Sequence, residues 1–289
     1  MIKISRNRIL LGIYAIISAA FFLYYLFPSE SIKAYLAYQF SQVSPKSSVT
    51  IERVSPAFPP GIRLYHVDLY HSDTVWGSID NIKIMPGILS LFRSKTTLSF
   101  KGNAYAGKLS GKAEIVSNSP LQQVVADTTL AGIQLKQIDV IQDISGHTLA
   151  GTLNGRFAFK SDARNQNLRG NFALSNCEVE FASPIFNQGS LTFRDVKLEL
   201  LLNNQTLNIQ KCNLEGLQMD ASISGSVVFN HSTGKTALNL RGTIKPHHGL
   251  WAQIGKSLPV NLLKKDKSGN QGFAFKIRGT LDAPEFAFD

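Results

Sequence analysis

Leu149-Ala150-Gly151-Thr152-Leu153-Asn154-Gly155-Arg156-Phe157-Ala158-Phe159-Lys160 decides the fold class of this chain. Every odd position is apolar or glycine, and from Thr152 onward most even positions are polar. A period of two puts successive side chains on opposite faces, so the stretch predicts a strand with one apolar and one polar face. The same alternation returns on both sides. Leu98, Phe100, Gly102, Ala104 and Ala106 alternate with Ser99, Lys101, Asn103 and Tyr105, and Leu109, Gly111, Ala113 and Ile115 continue after Gly107. It returns over residues 168–174, 217–229, 238–244 and 273–281. Residues 161–165 and 231–235 are rich in Ser, Asp, Asn and Gly and predict tight turns between strands. Hairpins in succession make an antiparallel meander. Helical spacing is confined to short pieces, over 86–92, 120–126, 135–144 and 250–263.

An apolar-x-Gly-x-apolar pattern recurs through these strands, centred on Gly111, Gly151, Gly155, Gly170, Gly225, Gly242 and Gly279. The spacing between copies is irregular, which excludes a solenoid of fixed period. Every one of these glycines falls on the apolar face. Either bulky side chains such as Phe157 or Phe229 from a facing sheet fill the dents, or the sheet is curved around an apolar trough. The candidate trough residues are Leu153, Phe157, Phe159, Phe172, Ile223, Val227, Phe229, Leu240, Phe273, Phe275 and Ile277. The parity predicts Val227, Leu240 and Phe275 pointing in, and Ser226, Arg241 and Lys276 pointing out.

The N-terminus obeys a different rule. Ile9, Leu10 and Leu11 open an uncharged run of 19 residues that closes with Phe21, Phe22, Leu23, Tyr24, Tyr25, Leu26 and Phe27. A helix of that length approaches the roughly 30 Å of a bilayer's hydrocarbon core. Lys3, Arg6 and Arg8 precede it, which keeps the N-terminus cytoplasmic and exports the rest. The rival is a cleaved signal peptide, with 9–18 as its apolar core and Ser18-Ala19-Ala20 as the small-residue site. Seven more apolar residues follow Ala20 and favour an uncleaved anchor. Ile32, Tyr35, Leu36, Phe40 and Val43 then recur at near-helical spacing, and Pro56, Pro59, Pro60 and Gly61 break the chain. The expected organisation is therefore an anchor over 1–27, an amphipathic helix and Pro-rich linker over 28–60, and a β domain over 61–289.

The 289 residues are 44% hydrophobic and 17% charged, which excludes a wholly disordered chain. Formal charge is +10, from 30 Lys plus Arg against 20 Asp plus Glu. The charges are dispersed, with one dense cluster at Lys264-Lys265-Asp266-Lys267 that reads as a solvated loop tip. No basic stripe interleaved with aromatics points to nucleic acid. Two cysteines supply neither a disulfide framework nor a four-thiolate zinc site. Cys177 and Cys212 both sit where the alternation changes phase, which predicts a bulge or strand end at each. They are expected as two buried thiols, or as a disulfide if their Cα atoms approach within about 7 Å.

The six histidines, His66, His71, His147, His231, His247 and His248, are expected in strands and surface loops. His66 and Asp68 share a strand face with His71 nearby, but no nucleophile elbow accompanies them. Glu178, Glu180, Asp195, Glu199 and Glu215 fall mostly on polar strand faces. No phosphate loop or dinucleotide fingerprint is present. No metal, cofactor or catalytic residue is expected, and no enzyme.

Ser55-Pro56-Ala57-Phe58-Pro59-Pro60-Gly61-Ile62-Arg63-Leu64 resembles the N-terminal signature of the type II secretion system protein N (GspN) family. Pro86-Gly87-Ile88-Leu89-Ser90-Leu91-Phe92, with the strands around Gly102 and Gly111, is similar to the AsmA-like superfamily. So is the ending, from Ile244-Lys245-Pro246 through 250–263 to the strand around Gly279 and Pro284. The resemblance implies a bacterial inner-membrane protein, single-pass, with its C-terminal domain in the periplasm. It implies a mainly β fold: an elongated, strongly curved antiparallel sheet forming a taco-shaped groove, with a few short helices. Its implied role is an accessory component of type II secretion that binds other secretion components. The alternative is a phospholipid-binding or lipid-transfer protein between the inner and outer membranes.

Overall fold

A computed structural model describes residues 6–43, 47–58, 61–71, 74–87, 90, 95–116, 123–145, 147–162, 165–185, 188–230, 235–250, 264–265, 271–281 and 283–288. The chain is mainly β, every pairing is antiparallel, and it divides into two compact units at Met85/Pro86.

The first unit holds helices α1 (Arg6–Tyr25) and α2 (Ser29–Val43) and strands β1 (Ser47–Ala57), β2 (Gly61–His71) and β3 (Thr74–Pro86). β1 pairs with β2, and β2 with β3. Strand β1 corrects the expected linker: residues 47–57 form a strand, which tolerates Pro56 because it lies at the sheet edge, where a missing N–H costs no ladder bond. Ile51 and Val54 of β1 are buried with Leu64 and Val67 of β2, and Phe27, Ile32 and Leu36 pack over them. The amphipathic face of α2 thus serves as the second layer of this sheet. Lys33 of α2 also donates to the Glu52 carbonyl (3.3 Å).

Inward residues change parity along one line across all three strands. Ile51 faces Val67 and Ile79, whereas Val54 faces Leu64 and Ile82. Between them lie two consecutive outward rows, where His66 takes a left-handed φ of 45°.

The second unit contains β4 (Lys95–Ala104), β5 (Gly107–Val116), β6 (Gln123–Gln134), a 3-10 turn (Leu135–Gln137), α3 (Asp139–Ser145), β7 (Thr148–Ser161), β8 (Gln166–Ile185), β9 (Gln188–Asn203), β10 (Thr206–Gly216), β11 (Met219–Phe229), β12 (Thr236–Pro246), β13 (Lys264–Lys265), β14 (Gln271–Gly279) and β15 (Pro284–Phe288). From β4 to β12 each strand pairs with the next in sequence; β14 follows β12 and carries both β13 and β15. Successive hairpins pair neighbours in the chain, so the meander forms as its turn chemistry dictates.

Several expectations change. Residues 123–126, expected as helix, open β6, because alternation and pairing to β5 and β7 satisfy their backbone on both sides. The strand expected through Ala106 ends at Ala104; Tyr105 and Ala106 form the hairpin turn with φ of 50° and 56°. Lys264 and Lys265, expected in a loop, pair with Gly272 and Gln271. The helix expected over 135–144 forms as the 3-10 turn and α3. Of the helix expected over 250–263, residues 248–250 are helical and 251–263 lie outside the described residues. The piece at 86–92 also lies largely outside them.

Both expected phase changes are bulges. On β8, Asn176 and Cys177 oppose the single Gly151 of β7. On β10, Gln210 and Lys211 oppose the single Ser224 of β11. Gly151 and Gly225, beside these bulges, take φ of 139° and 140°, where a side chain would be strained.

The glycine dents are filled from neighbouring strands of the same sheet. A Cβ built on Gly242 would lie 2.6 Å from Cζ of Phe275, its cross-strand partner. Phe100 covers Gly111, and Phe172 covers both Gly155 and Gly170. The expected filling by Phe157 or Phe229 from a facing sheet is therefore replaced by glycine–phenylalanine pairing within one sheet. At Gly170 only side chains stand in the way, Phe172 and Leu200. Gly170→Ala should cost about 1–3 kcal/mol by overpacking. In a denaturation double-mutant cycle, Phe172→Leu should relieve part of that cost; strictly additive effects would refute the pairing.

Candidate functional site: the apolar face of the second unit

The strand register sorts the second unit's side chains into two faces. Phe100, Gly111, Thr128, Phe157, Gly170, Leu200, Ile209, Gly225, Leu240, Ile277 and Phe286 are successive cross-strand partners in one row. The next row runs Gly102, Leu109, Leu130, Gly155, Phe172, Leu198, Cys212, Ile223, Gly242, Phe275 and Phe288. Rows through Phe159 and Val227, and through Leu153 and Phe273, flank them. Thr128 is the single polar side chain in the two central rows, and it is buried.

Ten of the eleven candidate trough residues are brought together this way. Val227, Phe273 and Phe275 are buried, and Leu153, Phe157, Phe159, Phe172, Ile223, Leu240 and Ile277 are half-buried. Phe229 shares their parity but stands at the end of β11, 36% exposed. The opposite face carries Lys101, Ser110, Thr129, Arg156, Asn171, Glu199 and Lys211 in one row. Arg241 is exposed there, as expected, while Ser226 and Lys276 are half-buried.

The described residues put little over the apolar face. Among the described residues, the helical elements that pack on these strands are the Leu135–Gln137 turn and α3, both against β7. No large side chain among the described residues is fully buried. Packing is densest at two places. Cys177, Phe193 and Val196 gather Leu174, Leu191, Cys212 and Leu214 around them. At β14–β15, Phe275 stacks on Phe286 (5.3 Å between ring centres), and Phe286 meets Phe288 edge-on (5.0 Å). Elsewhere the rows form a contiguous apolar surface of the kind that marks a ligand groove or an interaction site.

Among the described residues, the polar groups noted in the sequence pair separately. His66 pairs with Glu52 (2.6 Å), Asp68 accepts from Ser78 (2.6 Å), and His71 bonds Ser47 (3.0 Å), so the three expected on one strand find separate partners. The ring of His147 meets Phe181 edge-on, and His231 lies outside the described residues. No three His, Cys, Asp or Glu among the described residues gather at metal-binding distance.

His247, expected as a loop residue without a carboxylate, has one from the facing strand. Asp220 stands opposite Lys245 in the β11–β12 ladder, and its Oδ2 lies 3.1 Å from Nε2 of His247. Nδ1 faces the Leu217 carbonyl at 3.0 Å. Two acceptors favour a ring protonated on both nitrogens, and the Asp220 bond, foremost, raises the His247 pKa above 6.5. A raised folded-state pKa gives a stabilisation present below the unfolded value of about 6.5 and lost as pH climbs through the folded one. NMR titration should place the His247 midpoint above 6.5, and Asp220→Asn should bring it back down.

Cys177 and Cys212 are free thiols, both pushed up in pKa by burial. A disulfide reagent should label neither quickly in the native protein and both after unfolding without reductant.

The expected anchor is only partly as drawn. α1 ends at Tyr25, and Phe27, counted with the anchor, packs on the β1–β2 core, because Pro28 breaks the helix. Leu10, Leu11, Phe21, Phe22, Tyr24, Tyr25 and Leu26 are exposed; the side chains of Ile9 and Leu23 lie outside the described ones. Among the described residues no helix is long and apolar enough to cross a membrane. Compared with family models, with curated proteins and with solved structures, the chain finds no match.

Proposed function

We propose that the apolar face of the second unit takes up phospholipid acyl chains, in a chain held at the bacterial inner membrane by α1 with its bulk in the periplasm. The observation that carries the reading is the unbroken set of cross-strand apolar rows, which the described residues leave half-exposed. Glycines in those rows let Phe100, Phe172 and Phe275 lie over neighbouring backbone, and bulges bend the strands that carry them, as a taco-shaped groove requires. The role is binding rather than catalysis. The membrane half of the reading rests on the exposed Leu, Ile, Phe and Tyr side chains of α1, an apolar surface suited to lipid contact.

One observation favours the second reading, an accessory component of type II secretion that binds other secretion components. Within the segment that carries the GspN resemblance, Ser55 of β1 stands opposite Arg63 of β2 and Leu64 is buried. Loss of export on deletion of the gene, with no lipid bound to the purified protein, would favour that role.

Lipid uptake is tested with photo-crosslinking residues placed in cells at Phe157, Leu240 and Ile277, which share one apolar row, and at their neighbours Arg156, Arg241 and Arg278. Lipid adducts are expected from the first three and not from the second. Equal adducts from both sets, or none from either, would overturn the groove.

A further inference from the structure

We infer that the β1–β2 hairpin tip of the first unit is a second membrane contact: Phe58 enters the headgroup–acyl boundary while Arg53, Arg63 and Lys83 engage anionic headgroups. This rests on the reading of α1 as a membrane segment.

Phe58 is 89% exposed, the most exposed large apolar side chain among the described residues. Its backbone is held to β3, since Lys83 Nζ donates to the Phe58 carbonyl at 2.6 Å. An exposed aromatic on a braced turn has a cost in water that only a partner relieves, and an aromatic ring suits a membrane interface.

The register places cations directly behind it. Ser55, Arg63 and Lys83 are successive cross-strand partners, and Arg53, Tyr65 and Asn81 form the next row back. Like charges directly opposite one another, here Arg63 and Lys83, repel and are destabilising unless anions sit between them. Arg53 lies over the Tyr65 ring at 4.3 Å, which fixes its stem along the sheet. The acidic residues Glu52 and Asp80 fall one row further from the tip, and Glu52 is engaged by His66. The charge nearest the tip is therefore positive.

The chain path brings this tip to the end of the unit where α1 stops. Residues 44–46 join α2 to β1, so α2 runs back alongside β1 toward the β1–β2 turn. Lys33 meets Glu52. From there α2 begins four residues, about 6 Å, back, with Phe27 packed on the β1–β2 core just before it, and Phe58 is six residues, about 20 Å, on along the strand. Both lead in the same direction. The opposite tip, between β2 and β3, carries Trp76 at the far end of β2.

The full-length protein, reconstituted in vesicles of phosphatidylethanolamine and phosphatidylglycerol, tests this. One variant carries Phe58→Trp with Trp76→Phe and Trp251→Phe; the other carries Trp251→Phe alone and reports from Trp76. Lipids brominated near the headgroup end of the acyl chain should extinguish emission from position 58 and leave Trp76 emission intact. Replacing phosphatidylglycerol with phosphatidylcholine should weaken the quenching while the protein still floats with the vesicles. Flotation with no quenching at position 58 would overturn the tip contact and leave α1 as the anchor. Failure to float would overturn the reading of α1, and this one with it. A blue-shifted but unquenched Trp at position 58 would mean that protein covers the tip, and would also overturn it.

Discussion

Antiparallel register is the constraint on which the second unit depends. Each strand is bonded to its sequence neighbour, and a slip of one residue would turn every inward side chain to solvent. Because the apolar positions are odd in some strands and even in others, only the observed pairing lines them up. Phe157 meets Gly170, and Gly170 meets Leu200, along a ladder that runs from Phe100 to Phe286. The bulges at Cys177 and Cys212 serve the same end. Each absorbs one residue, so that apolar positions before and after it stay on one side of the sheet.

That ladder explains the placement of glycine and phenylalanine together. A row of large side chains alone would crowd across strands about 4.8 Å apart. Alternating them with glycine lets each ring lie flat over the neighbouring strand, as Phe172 does over Gly155 and Gly170. The surface that results is apolar and continuous, yet built from one layer. The first unit solves the same problem differently, by laying Ile32 and Leu36 of α2 on its three strands. A sheet with a helix over its apolar face has a closed core. Over the second unit's apolar face the described residues place the 3-10 turn and α3, both against β7.

Polar side chains at the ends of β9 to β12 bond the backbone. Asp220, which bonds His247, also accepts from the Gly216 N–H at 3.1 Å. Gln218 in the same turn accepts from the Thr192 N–H, also at 3.1 Å. These groups close strand ends, where ladder bonds run out and side chains must take their place. The cations are dispersed over the outward face, apart from the cluster behind Phe58.

Much of this was legible in the amino-acid order. Alternation around Gly155 and Phe157 announces a strand and its apolar face, because side-chain direction in a strand is local geometry. Turn residues at 161–165 and the phase breaks at Cys177 and Cys212 are local too. Strand β1 was hidden by its prolines, which an edge position tolerates, and the start of β6 by a spacing too short to tell helix from strand. Which side chain fills which glycine, that Asp220 reaches His247, and that α2 covers β1 and β2 depend on residues far apart in sequence. Sequence alone determined the alternating strands, the apolar face and the exposed hydrophobic helix. Tertiary structure alone decided the register that joins those faces into one surface and the laying of α2 over β1 and β2, because pairing and coverage are relations between segments.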